Sequence, residues 1–433
     1  MTGTQEPEVM STKQVRIAAL AERFPQRAFT SLAHNIDAQW LKTAYLMTRR
    51  DGAVGIDGQT ADDFVRDFEA NIQRLLEEAK SGRYRAPPVR RVHIPKGDGR
   101  TTRPIGIPTF EDKVLQRAVV ALLEPLYEHD FLDVSYGFRP RRSAHQAIKT
   151  VWDGLSSVGG GWVIDLDIKA FFDTIDHRHL RTFLRQRVKD GVILRLIGKW
   201  LKAGVLEAGQ WQKGEIGSPQ GGVISPLLAN VYLHYVLDEW FEKDVKPRLR
   251  GRAFSVRFAD DAILAFSNEA DARKVLEVLP KRFARFGLTL HPTKTRLVRF
   301  RPHREQRAET FDFLGFTHYW GKSRRGRWII KQKTAKDRFK RGLKRISLWC
   351  RANRHLPLRE QHRQLCRKVT GHYAYYGIIN NSKALERFLD SVRRIWIKWL
   401  RRRSQKAWFS WEKAAQLLSI LPLPRARVIH RFT

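Results

Sequence analysis

The chain has 433 residues, 42% of them apolar and 11% aromatic, enough for two or three domains with a sizeable core and too apolar for a largely disordered chain. Its two cysteines, Cys350 and Cys366, form no CxxC pair, which excludes a disulfide framework, zinc ribbons and thiolate clusters. Lys+Arg 81 against Asp+Glu 44 leaves +37, and self-repulsion on that scale points to a polyanionic partner. Nucleic acid ranks ahead of a membrane surface, because no long basic amphipathic helix lies at a terminus. No run of 18 apolar residues and no apolar leader is found, so a cytosolic protein that neither spans a membrane nor is secreted is expected.

In chain order, residues 1–11 are polar and expected to fray. Residues 12–79 read as helical, with 38–47 and 61–79 the stronger segments and GIDG at Gly55 breaking between them. Residues 90–95 and 103–107 read as strands joined by a polar turn, and 111–126 as an amphipathic helix. Residues 162–168 (WVIDLDI) alternate at period two, so Val163, Asp165 and Asp167 share one face of a strand. Residues 219–240 read as a Gly-rich turn entering a helix. Residues 254–266 (FSVRFADDAILAF) read as a hairpin turning at Asp260-Asp261, with Ala259 forced to positive φ. A helix over 270–286, capped at Ser267-Asn268 and stopped by Gly287, and a strand at 296–300 complete a small antiparallel sheet backed by helices.

Between Gly321 and Thr433 stand 31 Lys+Arg and 5 Asp+Glu, or +26 of the +37. A domain border is therefore expected near residues 319–327, giving segments 1–11, 12–320 and 321–433. The last reads as a basic bundle of helices over 335–349, 358–376, 384–402 and 411–418.

Most of the chemistry-bearing residues have a plainer explanation when taken singly. Asp-Asp in a turn is ordinary turn chemistry; Phe171 and Phe172 serve as core aromatics, and Lys96 and Arg103 as a solvated hairpin face. Asp165 and Asp173 read as structural, the HRH at His177–His179 as a helix cap. A phosphate loop at Gly321-Lys322-Ser323 is rejected, because Gly315 lies one residue too far upstream. An Asp in an otherwise apolar strand is harder to explain, since an unpaired buried carboxylate is expensive. If Asp167 ends a strand beside the tip carrying Asp260 and Asp261, the acids can share two hard divalent cations suited to in-line phosphoryl displacement. In so basic a chain this favours a metal-dependent nucleotidyl-transfer enzyme.

Blocks then follow one another along the chain: GIDG from Gly55, IPKGDGRTTRPIGIPTFEDKVLQ from Ile94, YGFRP from Tyr136, DIKAFFDTIDH from Asp167, GSPQGGVISPLLANVYL from Gly217, RFADD from Arg257, GLTLHPTKT from Gly287 and FDFLGF from Phe311. WLRRRSQKAWFSWEKAAQLLSILPLPRARVIH, from Trp399, stands near the end. In that order, from about residue 30 onward, the chain resembles the reverse transcriptase/maturases encoded by group II introns. The resemblance implies an α+β right-hand polymerase fold: fingers and palm on an antiparallel sheet backed by helices, then a basic helical thumb (the maturase domain).

It also implies an RNA-directed DNA polymerase that works by two-metal nucleotidyl transfer and helps its intron RNA to splice and move. Asp167, Asp260 and Asp261 would hold two Mg²⁺, with Ile168 contributing to the shell and Asp261 in a supporting part. Lys96 and Arg103 would meet the triphosphate, Phe172 would screen out a 2′-hydroxyl, and Gln220 would lie against the nascent pair. Arg401, Arg402 and Arg403 would bind RNA, among Trp396, Trp399, Trp408 and Trp411, of which at least half are expected in the bundle core. The implied partners are group II intron RNA, an RNA template with its DNA primer, and dNTPs, in a bacterial cytosol or nucleoid; a homodimer is left open. Phe258 stands where many such polymerases carry Tyr. Neither a DNA-binding region nor a Cys/His nuclease domain follows the thumb block, so no second-strand cleavage is expected and the primer would come from elsewhere, such as a nascent strand at a replication fork. The competing readings are a splicing maturase with an idle polymerase site, a bacterial reverse transcriptase recruited to defence or repair, and an RNA-dependent RNA polymerase. The retained acids speak against the first and Phe172 against the last.

Overall fold

The computed structural model describes residues 8–95, 101–207, 210–212, 217, 221–302, 308–403 and 410–431. The chain divides into two compact units, Met1–Ala144 with Ile164–Leu297, and His145–Val163 with Val298–Thr433. Among the described residues no helix is long and apolar enough to cross a membrane.

The first unit opens with four helices: α1 (Glu8–Arg23), α2 (Ala38–Leu46), α3 (Ala61–Arg66) and α4 (Phe68–Ser81). Their ends follow local chemistry. The Asp37 carboxylate accepts from Trp40 N at the start of α2, Thr60 and Asp63 close a capping box on α3, and Gly82 at φ 82° stops α4 in the left-handed region. Strands β1 (Val89–Pro95) and β2 (Thr102–Ile107) pair antiparallel from Arg90↔Ile107 to Pro95↔Thr102. Helix α5 (Phe110–Asp130) is the apolar axis of the unit: Val114, Leu115, Ala118, Val119, Leu122, Leu123 and Leu126 are wholly buried.

After α6 (Ala144–Ser157), nearly all in the second unit, β3 (Gly161–Leu166) returns the chain to the first. The sequence reading passed over the next elements: a one-turn helix α7 (Phe171–Thr174), α8 (His177–Arg187), α9 (Gly191–Lys202), and the short strands β4 (Val205–Glu207) and β5 (Gln210–Gln212). Then come the buried α10 (Ser225–Leu233), β6 (Ala253–Phe258), β7 (Asp261–Phe266), α11 (Glu269–Arg285) and β8 (Arg296–Phe300). Asn268 caps α11, accepting from Ala270 N and Asp271 N. The strands form two sheets of order β2-β1-β4-β5 and β6-β7-β3-β8.

Besides α6, the described residues of the second unit form a three-stranded sheet, β9 (Phe311–Phe313), β10 (Phe316–Lys322) and β11 (Trp328–Thr334), and a bundle of four helices, α12 (Lys336–Ala352), α13 (Leu358–Tyr376), α14 (Ser382–Leu400) and α15 (Trp411–Ile420). The step in charge at residues 319–327 thus falls on the β10–β11 hairpin. In the bundle, Trp396, Val392, Leu385, Leu365 and Tyr373 are fully buried, and the Trp396 indole donates to Gln361 Oε1 at 2.9 Å. Arginines and lysines fill the outer faces of these helices, so the pattern of apolar positions, not propensity alone, decides which side is inside.

Candidate active site

Asp167 follows β3 directly, and its backbone is clamped by the loop after α11. His291 N donates to Asp167 O at 2.8 Å, the Thr295 hydroxyl donates to the same oxygen at 3.1 Å, and Asp167 N donates back to Thr295 Oγ1 at 3.3 Å. Ile168 forms an antiparallel bridge with Leu290 and is buried, so only its main chain could take part in binding. The half-buried Asp167 carboxylate is met by Lys294 Nζ at 3.1 and 3.4 Å. Lys294 belongs to GLTLHPTKT, a block in which the sequence reading assigned no role.

The second acid comes from the hairpin. Phe258 pairs with Asp261, leaving Ala259 and Asp260 as a two-residue loop. Ala259 has φ 57°, as expected from the sequence; loops of this length usually place Gly, Asn or Asp there, so an alanine marks strain held by its surroundings. What holds it is visible. Arg257, buried two residues further back, donates from Nη1 to Ala259 O at 3.0 Å. Gly137 of YGFRP packs so tightly on Ala259 N that a Cβ would collide with it.

Because β7 lies beside β3, Asp260 and Asp167 come to neighbouring strand ends. Burial raises the Asp260 pKa above the usual carboxylate range, and the charge of Asp167 pushes the same way, while Arg103 and Arg257 pull it down. Asp261 is exposed at the start of β7. Among the described residues, no three His, Cys, Asp or Glu side chains converge to hold a metal ion. The Asp167–Asp260 pair nevertheless has the right donor chemistry: two carboxylates whose repulsion a hard cation would relieve, with Lys294 now the nearest positive charge.

Arg103 stands exposed on β2 opposite Ile94 and is felt by Asp260. Lys96 and Gln220 lie outside the described residues. The glycine after Gln220, Gly221 (φ 119°), sits against Gly106 O and Ile105 of β2, where any side chain would collide. Phe172 is half-buried on α7, edge-on to the buried Phe171 (centroids 5.3 Å apart, planes at 65°), and Ala170 at φ 47° sets the sharp entry to that turn. Phe171 is a core aromatic; Phe172 remains accessible. His177 and His179 do not cap α8: Asp176 does, accepting from Arg178 N and His179 N, while His177 Nε2 lies 2.5 Å from Gly217 O.

In the second unit Arg401 is half-buried, and the two arginines after it differ. Arg403 donates to Leu356 O at 2.9 Å and His355 O at 3.2 Å, fastening the α12–α13 loop, whereas Arg402 is exposed beside the Trp399 ring. Trp396 and Trp399 are both structural, the latter donating to Ser347 Oγ at 3.1 Å. Trp408 lies outside the described residues.

Two carboxylates at the ends of adjacent strands, with Arg103 of the β1–β2 hairpin near enough to act on Asp260, are the arrangement expected of a polymerase palm. The family model described as reverse transcriptase (RNA-dependent DNA polymerase) matches residues 94–318, and the chain belongs to that family. Among its relatives is one named as a group II intron product. The chain is 40% identical over 238 residues to the group II intron-encoded protein LtrA of Lactococcus lactis subsp. cremoris, covering 53% of this chain and 39% of that one. It is 39% identical over 233 residues to protein YkfC of Escherichia coli, covering 52% and 61%. The chain thus spans less than two thirds of either relative's length. Among solved structures, a Candida albicans telomerase in complex with the TWJ fragment of telomeric RNA aligns with a TM-score of 0.46 at 14% identity, covering 84% of this chain and 66% of that one.

Proposed function

We propose that the chain is an RNA-directed DNA polymerase: a primer 3′-hydroxyl attacks the α-phosphate of a dNTP paired to an RNA template, and pyrophosphate leaves. The observation that carries this is the meeting of Asp167 and Asp260 at adjacent strand ends, with Arg103 close enough to lower the Asp260 pKa. Asp167 and Asp260 would hold two Mg²⁺, supported by Asp261 and the main chain of Ile168. When bound, such ions supply positive charge at the attacking and leaving oxygens.

The chain's own groups prepare that event. The Thr295 and His291 hydrogen bonds fix the main chain of Asp167, and Arg257 fixes the strained tip that carries Asp260. Lys294 offsets the charge of Asp167 until a cation arrives. Arg103 would take triphosphate charge, where charge-assisted hydrogen bonds are strong, and the Phe172 ring would exclude a 2′-hydroxyl by bulk. The likeness to group II intron-encoded proteins supports a second role, binding intron RNA to assist its splicing, and a cytosolic location belongs to the same reading.

Primer extension on an RNA template with Mg²⁺ and dNTPs tests the proposal. Asp260→Ala should cut synthesis by more than about a hundredfold, since several kcal/mol of transition-state stabilisation would be lost, while RNA affinity stays within about twofold. Loss of both together would make Asp260 structural. In the same assay Phe172→Ala should admit ribonucleotides; unchanged selectivity would remove the gate from that ring.

A further inference from the structure

On the first unit, outside the catalytic residues, a groove of about 610 Å³ opens between α8, α9 and the segment leading into β1. Its rim carries Arg85, Arg178, Arg181, Arg195, Lys199 and Lys202, and no carboxylate lines it. Its floor is apolar, with Leu184, Leu194, Ile197 and Leu201. An adjoining hollow of about 540 Å³ shares Arg181, Leu194 and Arg195 and adds Arg185 and Lys189. Lys199 is engaged with Gly82 O and Tyr84 O, and Arg178 lies 3.6 Å from Asp176. Arg85, Arg181, Arg185, Lys189, Arg195 and Lys202 are exposed and have no ion-pair partner among the described residues.

This is an unfavourable way to build a merely solvated face. Arg178, Arg181 and Arg185 stand at i, i+3 and i+7 along α8, successive steps of three and four residues at which like charges repel. Between residues 177 and 203 the one acid is Asp190, which is buried and spent on capping α9 and on Leu32 N and Ala33 N. A polyanion would relieve the repulsion, and a concave apolar floor beneath cations suits a strand whose bases and riboses are unpaired. The groove also reaches the nucleotide site. His177 at its end contacts Gly217 O, and a Cβ on Gly217 would lie 2.9 Å from Phe172 O.

We propose that this groove carries the unpaired RNA template ahead of the position being copied, its phosphates on the α8–α9 cations and its bases over the apolar floor. The assignment rests on the RNA-copying reading above. The test uses the full chain and an Arg181→Glu/Arg195→Glu variant, with Arg181→Gln/Arg195→Gln as the milder pair. Binding to a DNA primer annealed to an RNA template is followed by fluorescence anisotropy, with either one unpaired template nucleotide or a long unpaired tail.

For the charge-reversed variant, affinity for the long-tailed template should fall by about tenfold at physiological salt. The slope of log affinity against log salt should shrink by about 1.4, the share of two single-strand phosphate contacts. The one-nucleotide template should bind as to the wild type. Equal losses on both templates, no loss on either, or loss confined to a folded intron RNA would overturn the assignment. Extension by the wild-type chain on the same two templates judges the polymerase reading separately: its failure would remove that reading whatever the anisotropy shows, and a tail effect without synthesis would still assign RNA to the groove.

Discussion

Arg257 uses all five of its N–H groups in a space closed to water. Nε and Nη2 grip the two oxygens of Asp238 at 2.8 and 2.6 Å, Nη2 also donates to Ser135 Oγ at 2.7 Å, and Nη1 donates to Asn230 Oδ1 and Ala259 O, both at 3.0 Å. Asn230 in turn donates to Gly137 O at 2.7 Å, so one guanidinium ties YGFRP, α10 and the β6–β7 tip together. A lysine has three donors and no fork, and cannot reproduce this set. Arg257→Lys should therefore cost about 3–5 kcal/mol of stability, as expected when a buried ion pair is broken. If Arg257 positions the tip, the variant should also need several-fold more Mg²⁺ for half-maximal synthesis, with the KM for primer–template unchanged. The control is Arg187→Lys, which breaks a second buried pair, Arg187 Nε to Asp130 at 2.7 Å, whose other bonds go to Phe24 O and Arg27 O. It should destabilise without moving the Mg²⁺ requirement; an identical shift in both variants would reduce Arg257 to a purely structural part.

At the scale of elements, legibility tracks how local the cause is. The β1–β2 hairpin, α5, α11 and the four bundle helices are each written in a periodicity or a cap within the element, and their observed bounds lie within a few residues of those read from sequence. Helices α8 and α9 carried the same kind of signal, with Asp176 and Asp190 as caps and Leu180, Phe183 and Leu184, or Ile193, Leu196, Ile197 and Trp200, as the buried faces. In α8 the HRH triplet occupies the first turn and masks the cap, Asp176, one residue upstream. Strands β10 and β11 alternate too, but their density of Lys and Arg suggested a border rather than a hairpin. Asp167 and Asp260 were legible as candidate acids because a carboxylate in an apolar strand is locally anomalous. Arg257 was not: an arginine in a strand reads as a surface residue, and its partners Ser135, Asn230 and Asp238 come from segments that only the fold brings together. Lys294 was legible only as part of a block, since nothing within residues 287–295 says that its ammonium meets Asp167.

For the molecule as a whole, acid should act on the two units unequally. In the second unit burial holds His318 down to about 3 and His372 to about 4, one stacked on Phe311 and the other on Phe388. Each imidazole takes a proton in the unfolded chain as pH falls below about 6.5, while the folded ring stays neutral until pH nears those low values. Stability is therefore complete above 6.5 and is lost on acidification, by about 2 kcal/mol per ring between pH 7 and pH 5. In the first unit burial also holds His234 to about 3, but it drives Asp112 up to about 7, against a hydrogen bond from Trp200 Nε1 at 3.0 Å. For Asp112 the folded pKa lies above the unfolded one, so the folded chain takes the proton first and gains about 2 kcal/mol between pH 7 and pH 5. In the first unit the Asp112 gain offsets the His234 loss, and burial raises Asp130, Asp238 and Asp260 in the same sense as Asp112, whereas no raised carboxyl offsets the histidines among the described residues of the second. Hydrogen exchange at pH 7 and pH 5, corrected for intrinsic rates, should accordingly show β9–β11 and α12–α14 losing protection while α5 and β6–β7 keep it. Asp112→Asn retains an acceptor for Trp200 but removes the compensating titration, so the first unit of that variant should lose about 2 kcal/mol at pH 5 with the second unchanged. Equal loss of protection in both wild-type units, or a first unit in Asp112→Asn as acid-resistant as the wild type's, would contradict this account.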